Sequence, residues 1–438
     1  MKVNYFELGT MTLQERTRLY QRGSVDFKSL VTQVAPILDE VRRRGDDAVR
    51  EFTRRFDGAD MEPSQFRVSR EAMDRALDAI PEDLREAIEV SIGNIRKFHE
   101  RQIEPPSWEI EICPGIIAGE KVLPIASVGL YIPRGKGSFP SMMMMAGVPA
   151  KVAGVERIVV VSPPDQQGRA DPATVAAARM IGLDELYAVG GVQAVGALAF
   201  GTATIPRVDK IVGPGSGYVL AAKQILSTEV DTGIPAGPSE AIILADDSAD
   251  PLTAVTDLLI EAEHGPDSSA YLVTTDESLA RKALELIPTL VSALPANRRA
   301  FCEAVFQSNG GVVLAENLND AIDFINGFAP EHLQILTRDL NDALGRIKSA
   351  GEVLLGPFTP GTLANYSIGP NAILPTSGFA RTASALSVRD FTRRMSYSRV
   401  NDEGFRGLAP KTLVLAQYEG FAAHAAALTY RLGKRKHD

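Results

Sequence analysis

Cysteine is nearly missing from this chain: two occur in 438 residues, Cys113 and Cys302, far apart and in no CxxC spacing. That argues against both a disulfide framework and a cysteine zinc cage, and it suits a reducing cytoplasm. Basic charge is also short. Lys and Arg number 46 against 55 Asp and Glu, for a net charge of -9, and no long basic stripe is seen beyond the short Lys434-Arg435-Lys436 tail. Such a surface repels a phosphate backbone, so nucleic acid is not the expected partner. No window reaches the roughly 18 apolar residues that a membrane span needs. The start, MKVNYFELGT, has no basic region followed by an apolar stretch, so neither a membrane span nor a secretory leader is expected. The Met142 to Met145 run is too short to span and reads as core packing in a helix. A GxGxxG fingerprint, a 20 to 50 residue repeat and a low-complexity linker are all missing as well.

What is present is a globular composition, 45% hydrophobic and 23% charged, long enough for two to four folding units. VAPILDEVRRRGDDAVREFTRRFDG sets Val34, Ile37, Leu38, Val41, Val49 and Phe52 at near-helical spacing and closes at Gly58. LREAIEVSIGNIRKFHERQ repeats the pattern. From Ile125 short β-branched runs alternate with helical segments: IASVGLYIP, RIVVVSPP, DPATVAAARMIGL, ELYAVGG, VQAVGALAFGT and DKIVGPG. A second alternating set follows, with AIILADD, a helix from Pro251, SAYLVTT, a helix from Ser278, GVVLAEN, a helix near Asn319 and HLQILT. Strand-helix alternation predicts parallel sheets covered by helices, here as two α/β units.

Histidine is scarce enough to be informative: His99, His264, His332, His424 and His437. The Pro251 helix is predicted to bury Leu252, Val255, Leu258, Leu259 and Ala262, with Gly265-Pro266 ending it. Glu261 and His264 then share a face as i and i+3, where two side chains can converge on one ion. Alone, that spacing more often describes a solvated helix end. Glu331 and His332 sit side by side where a loop meets a strand, an arrangement suited to two separate proton transfers, or simply a loop carboxylate beside a partly buried imidazole. EGFAAHAAALTYRL reads as a helix from Glu419 to Leu432 with Phe421, Ala425, Leu428 and Leu432 inward and His424 flanked by alanines. Two glycine-rich turns, Gly190-Gly191-Val192-Gln193 and Gly213-Pro214-Gly215-Ser216-Gly217, follow strands. Each could present backbone N–H groups to a phosphate, or be only a tight connection.

The ordered set VGLYIPRG, PSMMMMAGVPAKVAG, VGGVQAVGALAFGT, VDKIVGPGSGYV, IPAGPSEAIILAD, EAEHGPDS, APEHL, GPNAILPT and EGFAAH resembles the histidinol dehydrogenase family over nearly the whole chain. The resemblance implies an α/β fold of two incomplete Rossmann-like parallel-sheet domains with small N- and C-terminal helical extensions. Its boundaries would be a first domain at 24–128 and 240–383, an inserted NAD-binding domain at 129–239, and extensions at 1–23 and 384–438. It implies zinc- and NAD-dependent oxidation of a small primary alcohol through an aldehyde to a carboxylate, in a homodimer whose C-terminal extension reaches the partner's site. His332 would take the alcohol proton and Glu331 would activate water. Zinc ligands would fall at Glu261, His264, Asn365 and His424. Substrate contacts would fall at Ser239 and at Glu419 from the partner chain, with cofactor contacts at Tyr131 and Gln193.

Departures from the family's pattern concentrate at these positions. The family usually has Gln at 261 and Asp at 365, so Glu261 and Asn365 exchange carboxylate and amide while the summed ligand charge stays the same. Ala372 replaces a usual His and Ser216 a usual Asn beside the expected cofactor. Arg134, with Lys136 after it, replaces a usual Gly and is a candidate contact for an anionic substrate or for pyrophosphate. L-histidinol is the default substrate. A sulfonated propanediol is the alternative, and from other classes a metal-dependent hydrolase or a non-catalytic binding protein.

Overall fold

The computed structural model describes residues 1–22, 27–134 and 137–433. Lys136, His437 and the Lys434-Arg435-Lys436 cluster lie outside the described residues. Among the described residues thirteen strands form: β1 (Tyr5–Glu7), β2 (Ser107–Cys113), β3 (Ile116–Pro124), β4 (Ser127–Tyr131), β5 (Arg157–Val161), β6 (Leu186–Tyr187), β7 (Lys210–Val212), β8 (Glu240–Ala245), β9 (Ser269–Thr274), β10 (Gly310–Leu314), β11 (His332–Leu336), β12 (Glu352–Leu355) and β13 (Thr392–Val400). Two compact units form: Met1–Gln102 with Ile125–Phe391, and Ile103–Pro124 with Thr392–Asp438.

The first unit holds two parallel sheets, as the strand-helix alternation predicts. One has the order β1-β10-β9-β8-β11-β12 and the other β6-β5-β4-β7. Every residue of β8 and β9 is buried. Helices cover both faces of a parallel sheet, so its strands read as unbroken apolar runs.

The N-terminal helical pattern is two helices, Phe27–Arg44 and Asp46–Asp57, because Gly45 turns the chain with φ at +56°. They pack on the four-stranded sheet's helices, not on the 240–383 region with which they were expected. Val34, Leu38, Val41, Val49 and Phe52 share a core with Val159, Ala194, Val195, Leu198 and Val219. The reason is close approach: Gly196 of the Gly191–Phe200 helix has no side chain, and a Cβ there would lie 3.1 Å from Leu38 Cδ2. On the opposite face Met143, Met144 and Met145 are buried in the Pro140–Val152 helix, so the methionine run is core.

The second unit is an antiparallel sheet, β13-β3-β2, with helices Asp402–Tyr418 and Ala422–Gly433. It therefore includes 103–124 as well as the expected C-terminal extension. The helix expected from Glu419 begins only at Ala422, because Gly420 (φ +76°) breaks the chain between the two helices. None of its residues is buried and Phe421 is exposed, where an inward face was expected. Among the described residues no helix is long and apolar enough to cross a membrane.

Candidate active site

The strand order of the six-stranded sheet reverses at β8, whose neighbours are β9 on one side and β11, followed by β12, on the other. At the amino ends of these strands the chemistry-bearing residues gather. Ser239 and Glu240 open β8, Glu331 and His332 open β11, and Glu352 opens β12 as the registered partner of His332. The Pro251–Ala262 helix, capped by Asp250 accepting from the Thr253 N–H at 2.8 Å, carries Glu261 in its last turn, and His264 follows it. The apolar face of that helix is buried except Leu252, which is exposed at its first turn. Glu261 is buried at 3% exposure while the His264 side chain is partly exposed, so the carboxylate alone is sealed from solvent.

Distances define one cluster. Glu261 Oε2 lies 3.5 Å from His264 Nε2, and Glu261 Oε1 lies 3.8 Å from His332 Nε2. Asn365, from the short helix Gly361–Tyr366, donates its amide to Glu261 Oε1 at 2.9 Å. His332 Nε2 is 3.7 Å from Glu331 Oε1, while its Nδ1 is 2.6 Å from Glu352 Oε1. Glu331 Oε2 accepts the Glu240 backbone N–H at 2.9 Å, and Ser239 Oγ lies 3.3 Å from His264 Nδ1. The adjacent Glu331 and His332 thus lie in one buried cluster.

Burial of so many carboxylates sets their proton affinities. Desolvation pushes Glu331 well above the usual carboxylate range; His332 opposes this and Glu261 adds to it. For His332, burial alone would lower the pKa, but Glu261, Glu331 and the hydrogen bond to Glu352 outweigh it and raise it to about 10. Burial would also raise Glu261, yet the nearby His332 and His264 hold it below the ordinary value. Closely packed groups with opposed shifts are suited to proton transfer. Glu352 is the member of this cluster that sequence reasoning missed.

A second group forms at the carboxyl ends of the four-stranded sheet, where β4 lies between β5 and β7, a topological switch point at which α/β sheets bind ligands. Tyr131 ends β4, and its hydroxyl accepts the Gly191 N–H at 3.1 Å. Gln193 is fully buried; its Nε2 donates to Asp57 at 3.4 Å, and its Oε1 has no hydrogen-bond partner. Asp57, unmarked by any sequence signal, has its pKa pushed to about 6 by burial. Gly213 needs its lack of a side chain: φ is +122°, and a Cβ would lie 2.1 Å from the Tyr131 carbonyl oxygen. Ser216 is exposed ahead of the Gly217–Leu226 helix and makes no side-chain cap.

Arg134 departs from expectation. Its Nη1 donates to the Arg169 and Pro163 carbonyl oxygens at 2.8 and 3.4 Å, so that nitrogen is engaged by turn backbone. Ala372 is buried in the apolar cluster of Met143 and Ile373. Its neighbour Asn371 donates to the Met145 carbonyl oxygen at 2.6 Å and lies 3.2 Å from His99 Nε2.

Could the Glu261 cluster hold a metal? Glu261 Oε2 is buried without a hydrogen-bond partner, an oxygen that a cation would satisfy. Because the Asn365 amide nitrogen is spent on Oε1, its carbonyl oxygen is the donor left over, beside an imidazole and a carboxylate. That set suits zinc. Among the described residues no three His, Cys, Asp or Glu side chains form a metal-holding group. The first unit supplies two such residues, Glu261 and His264, and an amide. His424, the other expected ligand, lies in the second unit on an exposed helix with its ring 5.0 Å from Phe421. Glu419, also in that unit, ends the Asp402–Tyr418 helix and is exposed.

A family model described as histidinol dehydrogenase matches residues 20–432. The chain belongs to the histidinol dehydrogenase family. These enzymes are oxidoreductases. The chain is 47% identical to a histidinol dehydrogenase of Synechocystis sp. over 97% of its own length and 98% of the relative's. It is likewise 47% identical to "histidinol dehydrogenase homolog 2" of Mesorhizobium japonicum, over 98% and 97%. The crystal structure of histidinol dehydrogenase from Elizabethkingia anophelis superposes with a TM-score of 0.91 at 34% identity, covering 98% of each chain.

Proposed function

We propose that this chain is a zinc- and NAD-dependent dehydrogenase that oxidises L-histidinol, a primary alcohol, through its aldehyde to the carboxylate. The observation that carries the reading is the buried contact set around His332, whose Nδ1 is held by Glu352 while its Nε2 faces Glu331 and Glu261. Family membership and the relatives named histidinol dehydrogenase favour this substrate.

Overall, the alcohol, two NAD and one water become the carboxylate, two NADH and three protons, so two proton acceptors are needed at different moments. His332 serves the first. In the neutral ring, with the Nδ1 proton held by Glu352, Nε2 carries the lone pair that receives the hydroxyl proton. Glu331 serves the second, taking a proton from the water that adds to the aldehyde. Its raised pKa makes its ionised form the stronger base. When bound, zinc at Glu261, His264 and Asn365 would hold the substrate and orient its reacting carbon. NAD, accepting a hydride in each oxidation, would lie at the Tyr131, Gln193 and Ser216 end of the four-stranded sheet. The buried, unpartnered Gln193 Oε1 supports that placement.

The working form would be a cytoplasmic homodimer sharing its active sites, with His424 completing the zinc set and Glu419 meeting substrate across the interface. Two observations support it: the metal set is incomplete within the first unit, and the second unit exposes Trp108, Ile110, Ile112, Val414 and Leu415. Such a patch calls for a partner surface. A sulfonated diol is less favoured, because Arg134 Nη1 is engaged by backbone.

Zinc-loaded protein given NAD and L-histidinol tests the reading. Prompt NADH formation supports it. NADH only with other alcohols would move the substrate, and lack of saturable NAD binding would overturn the reaction class.

A further inference from the structure

We infer that Arg22 is a positioning residue for Glu331, setting from the N-terminal segment the backbone that aims this carboxylate. Ala329, two residues before Glu331, adopts the left-handed conformation at φ +53°. That backbone is unfavourable for a residue with a Cβ and persists only where surroundings impose it. Arg22 braces it, at a helix end where the Ala329 N–H also donates to the Ile325 carbonyl oxygen at 2.7 Å. Its Nη2 donates to the carbonyl oxygens on both sides of the Ala329 nitrogen and α-carbon, Phe328 at 2.6 Å and Ala329 at 3.2 Å. Its guanidinium also lies 4.0 Å over the Phe328 ring. A second arginine, Arg381, donates to the preceding carbonyl of Gly327.

The same guanidinium reaches Glu331 by a second route. Arg22 Nε lies 2.5 Å from Glu240 Oε1, a close ion pair without an aligned N–H, with both side chains at or below 10% exposure. Glu240 Oε1 also accepts the Ser377 N–H at 2.7 Å, and the Glu240 N–H is the donor to Glu331 Oε2. Arg22 therefore fixes both the chain leading into Glu331 and the residue whose amide holds its carboxylate. A lysine, with one compact ammonium, cannot span both carbonyls and the carboxylate.

The inference rests on the reading of Glu331 as the group that activates water. Arg22→Met alone leaves Glu240 as a buried uncompensated charge and is expected to fold poorly, so the informative variant is the double Arg22→Met with Glu240→Gln. Two readouts are taken on zinc-loaded protein: steady-state kinetics with L-histidinol and NAD, and hydrogen exchange of the peptide spanning 328–336. The double variant is expected to keep its zinc content and a KM within about threefold. Its kcat should fall between about tenfold and about a hundredfold, with faster exchange in that peptide. Arg22→Lys should recover less than half of the lost kcat. A folded double variant with wild-type kcat and unchanged exchange overturns the inference. If the wild type makes no NADH, the dehydrogenase reading fails on its own, and exchange alone decides the positioning role: faster exchange upholds it and unchanged exchange overturns it.

Discussion

His332 and Glu352 face each other as registered partners on β11 and β12, with the imidazole Nδ1 2.6 Å from the carboxylate. The contact fixes which ring nitrogen points at Glu331 and Glu261. Glu352→Ala should therefore lower kcat by about tenfold to a hundredfold with KM nearly unchanged, since it removes orientation and not substrate contact. Glu352→Gln, which preserves a hydrogen-bonding group, should fall between. Steady-state kinetics decide it; equal kcat for wild type and Glu352→Ala would show the contact to be idle.

Glu261 and Asn365 meet through one hydrogen bond at 2.9 Å. Asn365→Asp replaces that donor with a second buried carboxylate, and like charges at this distance repel. The zinc-free variant should melt a few degrees below wild type, and adding Glu261→Gln, which restores one amide and one carboxylate, should return the difference. Thermal melts with and without zinc check this. No change in the zinc-free melt would show that the two side chains do not share a site.

Asp57 predicts a pH dependence. Its folded-state pKa of about 6 lies above the ordinary value near 3.8, with burial as the cause. The folded state therefore binds the proton more tightly than the unfolded one. Its stabilising contribution is present below about pH 4 and lost as pH rises through about 6. Asp57→Asn should raise the melting temperature at pH 7.5 and leave it nearly unchanged at pH 4. The opposite ordering would mean that the carboxylate is stabilised in its charged form.

Much of this was legible in the sequence, and the remainder has identifiable physical causes. Strands β4 to β11 announce themselves as short apolar runs between helical periods, because both faces of a parallel sheet are covered. Glu331 and His332 were visible because they are adjacent. Glu352 was not, since an acidic residue opening a strand has no local signature and meets His332 only through strand register. Arg22 and Ala329 lie further apart still. The sheet of β2, β3 and β13 escaped because β2, SWEIEIC, buries neither face within the chain. Glu419 and His424 were placed on one helix because nothing but Gly420 marks the break.

Gly213 offers a test of the second cluster. A Cβ there would strike the Tyr131 carbonyl oxygen at 2.1 Å in a left-handed backbone, so Gly213→Ala should destabilise the fold by about 3 kcal/mol and weaken NAD binding. Urea unfolding and NAD titration measure the two effects. Wild-type NAD affinity in the variant would place the cofactor elsewhere.

Shared sites can be tested by mixing. His424→Ala and Glu331→Gln should each be inactive, but if His424 acts across a homodimer, mixed dimers contain one intact site. Refolding the two together should then restore roughly a quarter of wild-type activity. A mixture as inactive as its components would confine His424 to its own subunit.

The most direct measurement is the ratio of NADH formed to L-histidinol consumed by the zinc-loaded protein, with the product identified. Two NADH per alcohol and a carboxylate product are predicted, because His332 and Glu331 each serve one oxidation. A ratio of one with aldehyde released, or consumption of alcohol without NADH, would contradict the assignment of the second step to Glu331.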